Sequence, residues 1–335
     1  MIILPAAFLL EFYIGSIRYK LHPLNIMGKI AFFLEKVFYS ISDGFFSGLL
    51  FNLATIFSII VVFAVIDIIT LRISIFLFYS FSVYILLSFL STGGLKYEGI
   101  KIYRFLKAND IESARKDLIS LAGRDSRNLN LSEISRAVIE SVAENTGDGT
   151  GSVFFYFTIG LIFGLSEPFQ MPFAVALGTA FAVIYKSVNL MDSLVGYRNK
   201  KYEKFGSFSA RLDDALNYIP FRITAFFMLL STLICSSCNI RYNIKEALKS
   251  WFKFRKNHPS PNGGQLESVI AGALQIKLGG INHYGGVESK RPVMGFENYG
   301  AASKDNIIDT IHIMELTSVL LVIFYTLLPA VAIFI

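Results

Sequence analysis

The segment RAVIESVAENTGDG, residues 136–149, places Arg136, Glu140 and Glu144 at i, i+4 and i+8, with Asp148 following between two glycines. On a helix that spacing holds the three side chains within an arc of roughly 80°. Ile134, Ala137, Val138, Ser141 and Val142 fall on the other side, so the periodicity predicts a helix from an N-cap at Ser132 to Asn145. The helix is expected to stop at NTGDG, where Gly147 and Gly149 free the backbone and turn Asp148 toward the same end as Glu144. The bland alternative is a solvated face with intrahelical ion pairs.

A second group comes from NLMDSLVGYR (189–198) and RLDDALNYIPFR (211–222). Asp192 leaves one apolar run, and Asp213, Asp214 and Asn217 enter the next, with Arg211 and Arg222 around them. Hard oxygen donors of this kind suit Mg²⁺, which binds through one or two carboxylates plus substrate phosphates. Glu144, Asp148, Asp192, Asp213 and Asp214 are therefore the candidate metal ligands, and Glu140, Glu144, Asp192 and Asp214 the candidate catalytic carboxylates.

A third group is HPSPNGGQLES. Pro259 and Pro261 break a helix, Gly263 and Gly264 permit positive φ, and a helical pattern begins near Gln265 with Asn262 able to cap it. Such a turn presents unpaired backbone N–H groups to an anion, and Arg255, Lys256 and His258 lie just upstream. Ser260, Asn262, Gly263 and Gly264 are candidate phosphate ligands, joined by Arg136, Asn145, Arg198, Arg211, Asn217 and Arg222 from the other two groups. No GxxxxGK[ST] occurs, which leaves a P-loop nucleotide fold unsupported. The CSSC of Cys235 and Cys238 reads as two small packing residues, since one CxxC is half a zinc site at best.

The elements that must position these residues lie in a bilayer. Of 335 residues 53% are hydrophobic and 32 are Phe, and the mean hydropathy is +0.54. Runs nearly free of charge occur at 1–15, 48–69, 71–90, 152–166, 168–185, 219–239 and 316–335. About 20 apolar residues span a bilayer, so the second, third, sixth and seventh runs qualify outright. The first, fourth and fifth are short, and two of the short runs are expected to be re-entrant. The first run is expected to be a retained anchor, with Arg18, Lys20, Lys29 and Lys36 after it on the cytoplasmic side. The fold class expected is all-α: a polytopic α-helical integral membrane protein, one domain over 1–335. Its loops, 16–47, 91–151, 186–218 and 240–315, face the cytoplasm and carry the active site. The net charge of +6 orients loops; no nucleic-acid motif accompanies it.

Taken as an ordered set, HPLNIMG (22–28), RAVIESVAENTGDG, NLMDSLVGYR, RLDDALNYIPFR and HPSPNGGQLESVIAGALQIKLGG, then Tyr284, Gly285, Arg291, Pro292 and Gly295, resemble the adenosylcobinamide-phosphate synthase family of cobalamin biosynthesis. The resemblance covers roughly residues 8 to 300. It implies a multi-pass cell-membrane enzyme joining adenosylcobyric acid, a corrinoid, to aminopropanol or its O-phosphate through an amide bond, with ATP as substrate and Mg²⁺ as cofactor. It adds His22 and His258 to the candidate catalytic residues, and Tyr284 and Arg291 to the substrate ligands. Departures are Glu11 and Ser16, where the family tends to have an Asp and another acidic residue, and Val153 in place of a proline after DG. Two other classes compete on the residues alone: a Mg²⁺-dependent intramembrane prenyl- or phospho-alcohol transferase, and a transporter. Polar residues at loop junctions count against transport, and the HPSPNGG turn has no task in prenyl transfer.

Overall fold

A computed structural model describes residues 2–15, 22–123, 125–166, 171–196, 199–284 and 287–333, with the backbone alone at 283–284, 287–289 and 331–333. Along the chain run α1 (Ile3–Ile14), α2 (Pro23–Ile41), α3 (Phe45–Ile73), α4 (Ile75–Phe89), α5 (Thr92–Lys107), α6 (Ile111–Ala122) and α7 (Leu131–Thr146). A π-helical turn, Gly147–Gly151, leads into α8 (Ser152–Ser166), followed by α9 (Met171–Val195), α10 (Ser207–Cys238), α11 (Ile244–Phe254) and α12 (Gly263–Leu274). Strands β1 (Leu278–Tyr284) and β2 (Val287–Met294) form an antiparallel hairpin before α13 (Lys304–Ile333). The fold class is the α-helical membrane architecture read from composition.

Among the described residues six helical stretches are long and apolar enough to cross a membrane: Phe45–Ile73, Ile75–Lys107, Leu131–Ser166, Met171–Val195, Ser207–Cys238 and Lys304–Ala330. The runs at 152–166 and 168–185 belong to the third and fourth of these, so both are parts of helices longer than the runs themselves. A run measured by the absence of charge ends too early. Lys186 lies inside α9, with its Nζ 2.9 Å from Asn189 Oδ1 of the same helix. Among the described residues α1, of 12 residues, is the apolar helix that stays short.

The helix of the GDG segment also differs from expectation. Its N-cap is Asn130, not Ser132: Asn130 Oδ1 accepts from the Glu133 amide at 3.0 Å while Glu133 Oε2 accepts from the Asn130 amide at 2.8 Å. Nor does it stop at Gly147. The glycines keep right-handed φ, and their role is close approach: a Cβ at Gly147 would sit 2.4 Å from the Phe221 ring, at Gly149 1.9 Å from Ser91 Oγ, and at Gly151 2.0 Å from Thr224 Oγ1. A π turn frees carbonyls from the regular ladder. That of Gly149 accepts from the Ser91 amide at 3.1 Å, and Thr150 Oγ1 meets Thr92 Oγ1 at 2.9 Å.

The chain divides into two compact units. The first holds residues 1–90, 152–217 and 322–335. In it α8 and α9 form a tight hairpin on small residues, with Gly160 over the Leu177 carbonyl and Gly164 over Ala174. The second holds 91–151 and 218–321, so the polar stretches 91–151 and 240–315 share one core. That core joins Ile102 of α5, Val138 of α7, Met228 of α10, Ile270 of α12 and Ile311 of α13. All twelve residues of α12 are buried.

Replacing Gly149 with Val is expected to destabilise the protein by on the order of 1–3 kcal/mol, because a β-branched side chain must displace Ser91. Gly28→Ala, where a Cβ meets nothing within 4 Å, serves as the control. Equal thermal midpoints for the two variants in detergent would refute the packing role of the π turn.

Candidate functional site

Within the second unit, α7 and the hairpin are tied by charge. Glu140, 1% exposed, accepts from the Gly279 amide at 2.7 Å. Arg136 donates to the carbonyls of Gly279 and Ile281 and to Asn282 Oδ1, the last two at 2.9 and 3.2 Å. Positive φ at Gly279 and Gly280 (81° and 87°) turns these backbone groups toward α7, and a Cβ at Gly280 would lie 2.7 Å from Arg136 Nη1. The strand register shifts at this point. Arg136 and Glu140, read from the sequence as phosphate ligand and catalytic group, thus hold β1 in place.

The residues gathered by that clamp centre on His258, whose side chain is 4% exposed. Gly263 and Gly264 make room for it: a Cβ at Gly263 would lie 2.8 Å from the imidazole, and one at Gly264 3.0 Å from His258 Cβ. Both glycines begin α12 with ordinary φ rather than serving as a positive-φ turn. Asn262 occupies the N-cap position but makes no capping bond; its Oδ1 sits 3.5 Å from Arg222. Glu144 Oε1 lies 3.3 Å from the same Gly263 Cβ position, on the imidazole side of the helix start.

The polar neighbours of His258 decide its protonation. Nδ1 is 3.1 Å from the Ser260 amide nitrogen and 3.3 Å from the Ser260 carbonyl oxygen. Nε2 faces Arg291 Nη1 of β2 at 3.0 Å and the carboxylate of Glu267, itself fully buried, at 3.6 Å. A guanidinium only donates, so Arg291 at Nε2 and the Ser260 amide at Nδ1 compete for the single lone pair of a neutral ring, and the Ser260 carbonyl can take the proton when Nε2 accepts. Burial is the largest influence and holds the imidazole below its usual pKa; Arg291 pushes the same way, while the charges of Glu144 and Glu140 oppose it. The ring is a buried neutral base. Glu267 was missed by sequence reasoning, although a lone carboxylate amid the small and apolar residues of GGQLESVIAGAL was the available signal.

In the first unit the aspartates form a second group. Asp213, 9% exposed, accepts from Asn217 Nδ2 at 2.9 Å and from Asn189 Nδ2 at 3.4 Å, and the charges of Asp192 and Asp214 act on it. Asn217 in turn accepts from Ser152 Oγ at 2.7 Å. Asp192 Oδ1 packs over Gly196, where a Cβ would approach to 1.9 Å. Among the described residues no three His, Cys, Asp or Glu side chains form a group that could hold a metal ion. Asp192, Asp213 and Asp214 are hard oxygen donors, the type that Mg²⁺ takes alongside water and phosphate oxygens.

The remaining candidates fall as follows. His22, in the first unit, caps α2 through Nδ1, 3.3 Å from the Leu24 amide. Asn145 donates to the Ser141 carbonyl of its own helix, Arg211 is exposed, and Asp148 is half-buried in the π turn of the second unit. Arg198 and the side chain of Tyr284 lie outside the described residues.

The model of the CobD/Cbib protein family matches residues 4–314 of this chain. The chain belongs to that family. Its relatives include proteins named cobalamin biosynthesis protein CobD from Clostridium perfringens, 37% identical over 86% of this chain and 85% of the relative, and from Leptospira interrogans, 35% identical over 96% and 95%. A third, from Listeria monocytogenes, carries the same name and is 33% identical over 96% and 95%. No solved structure matches the chain. The family match spans both the aspartate group and the His258 cluster.

Because His258 is held neutral, the unfolded chain takes up a proton below about pH 6.5 that the folded protein resists. Stability is therefore expected to fall as pH drops from that value toward the lower folded pKa, and to level off beneath it. His258→Gln should flatten this part of the profile in thermal melts run from about pH 8 to about pH 5. An unchanged slope in the variant would show that His258 is not the titrating group.

Proposed function

We propose that the protein is a membrane enzyme of cobalamin biosynthesis that joins adenosylcobyric acid to aminopropanol or its O-phosphate in an amide bond, with ATP consumed. Membership of the CobD/Cbib family supports the pathway. The observation that carries the chemistry is the buried neutral imidazole of His258 among Glu144, Glu267 and Arg291. A carboxylate does not acylate an amine directly, because oxide is too poor a leaving group. ATP supplies a phosphoryl group to the carboxylate, the amine attacks the acyl carbon, phosphate leaves, and the ammonium proton must go to a base.

The chain's own residues have the types for those steps. His258 Nε2 becomes a proton acceptor once Arg291 engages an anion instead of the ring. Arg291 provides a guanidinium for a phosphate or carboxylate. Asp192, Asp213 and Asp214 offer oxygens for Mg²⁺, with Glu144 and Asp148 as further candidates in the second unit. Bound Mg²⁺ would spread the charge of the transferring phosphoryl group. We place the polar loops in the cytoplasm on the distribution of Lys and Arg.

Purified protein with adenosylcobyric acid, ATP, Mg²⁺ and each amine is expected to form the corresponding amide and release phosphate. Asp192→Asn, Asp214→Asn, Glu144→Gln and Asp148→Asn test the carboxylates. A ligand worth ~3 kcal/mol in the transition state lowers kcat on the order of 100-fold, with little change in substrate affinity and partial recovery at higher Mg²⁺. Normal turnover in all four, or no amide formed by the wild type, refutes the assignment. For sidedness, Lys256→Cys is expected to resist impermeant thiol reagents in intact cells; labelling from outside overturns the cytoplasmic placement.

A further inference from the structure

A cavity of about 840 Å³ opens in the second unit between α10, α11 and the HPSPNGG turn. Tyr218, Arg222, Phe226 and Leu229 form one wall, Leu248, Trp251, Arg255 and Lys256 the other, and His258, Pro259, Pro261 and Gln265 the floor. Three permanent cations thus face one space, and among the described residues no carboxylate lines it. No salt bridge joins Arg222, Arg255 or Lys256 to an acidic side chain among those residues.

The two arginines are held in place by rings, backbone and Asn262 instead. The Arg222 guanidinium lies 3.4 Å from the centre of the Tyr218 ring and donates to the Tyr218 carbonyl. Arg255 stacks 4.5 Å from the Trp251 ring centre and 5.2 Å from that of Phe252, and its Nη1 is buried without a hydrogen-bond partner. An aromatic face satisfies the flat side of a guanidinium but leaves its in-plane N–H fork free. A buried charged donor without an acceptor is costly to maintain, and like charges in one cavity raise that cost. An anion presenting several acceptor oxygens removes both penalties at once, and phosphate matches the fork.

The rest of the lining argues that the anion is carried on something apolar. Phe226 is 62% exposed and Leu248 39%, and both flank the cations. Phe226 belongs to a helix long and apolar enough to cross a membrane, and Leu248 to α11, whose Lys245, Lys249 and Lys253 make it a basic amphipathic helix. We propose that this cavity is a binding site for a phosphate group on an apolar body. The phosphate has two sources, the headgroup of an anionic phospholipid or a soluble phosphate. The cavity shares His258 and Arg222 with the site of the proposed reaction, and its occupancy is read by binding and not by amide formation.

The test uses the full-length protein in detergent and two probes, phosphatidylglycerol added to the micelles and inorganic phosphate set against chloride at equal ionic strength. A saturable rise in Tm with at least one probe is expected. Arg255→Gln and Lys256→Gln should each raise the half-saturating concentration roughly tenfold, the scale of one charge-assisted contact. Lys256 is exposed, so its variant keeps the test valid if Arg255→Gln fails to fold. Stabilisation by phosphatidylglycerol that Leu248→Ser also weakens assigns the lipid source. Stabilisation by inorganic phosphate that Leu248→Ser leaves intact, with none by phosphatidylglycerol, overturns the apolar body and leaves a bare phosphate site. If neither probe stabilises the wild type, or if both cation variants respond as the wild type does, the cavity is not a phosphate site.

Discussion

The second unit is organised by one requirement: a carboxylate removed from water must find donors. Glu140 is 1% exposed and takes the Gly279 amide, while Arg136, one turn earlier, takes the neighbouring carbonyls. β1 supplies the partners that both side chains use, and it could not turn its peptide groups inward without positive φ at Gly279 and Gly280. The hairpin thus placed delivers Arg291 from β2 to His258, and the register between Gly280 and Arg291 links the clamp to the imidazole directly. Loss of the Glu140 contact would therefore reach His258 through backbone geometry and not through charge alone.

Glycine does a different job elsewhere in the unit. In the π turn and at the start of α12, glycine appears with ordinary helical φ, and what matters is the missing Cβ. Phe221 lies where a Gly147 side chain would be, and the His258 ring where a Gly263 side chain would be. Both contacts bring a bulky group against a helix backbone at a distance no other residue allows. Composition alone does not separate these uses from turn glycines, because both produce the same local spacing of Gly and Pro.

This distinction sets how far the sequence could be read. Apolar runs and the periodicity of 134–142 were legible because each depends on a pattern local to one element, and the ordered motifs carried the family. The capping box was also present in the text, as Asn130 and Glu133, but Ser132 competes for it on residue type. The passage of α7 through GDGTG into α8 was not legible. Local propensity favours a break there, and the packing of Ser91, Phe221 and Thr224 against the glycines overrides it from distant parts of the chain. The hairpin escaped for a related reason, since its inward-turned end is set by Arg136, more than a hundred residues earlier. Glu267 escaped because a single carboxylate in an apolar helix carries no period.

The two polar groups differ in how they are held. Asp213 accepts from the side-chain amides of Asn189 and Asn217, which fix its position. His258 is placed under opposing influences, with Glu144 and Glu140 favouring the imidazolium and burial with Arg291 favouring the neutral ring. Such a balance moves when one contributor leaves. Arg291 is the contributor an anion can draw away, and its departure both frees the Nε2 lone pair and leaves burial alone against the acidic neighbours, with Glu267 3.6 Å from that same nitrogen. Basicity at His258 is in this way coupled to anion binding by the charge arrangement itself, with no movement of the helices required.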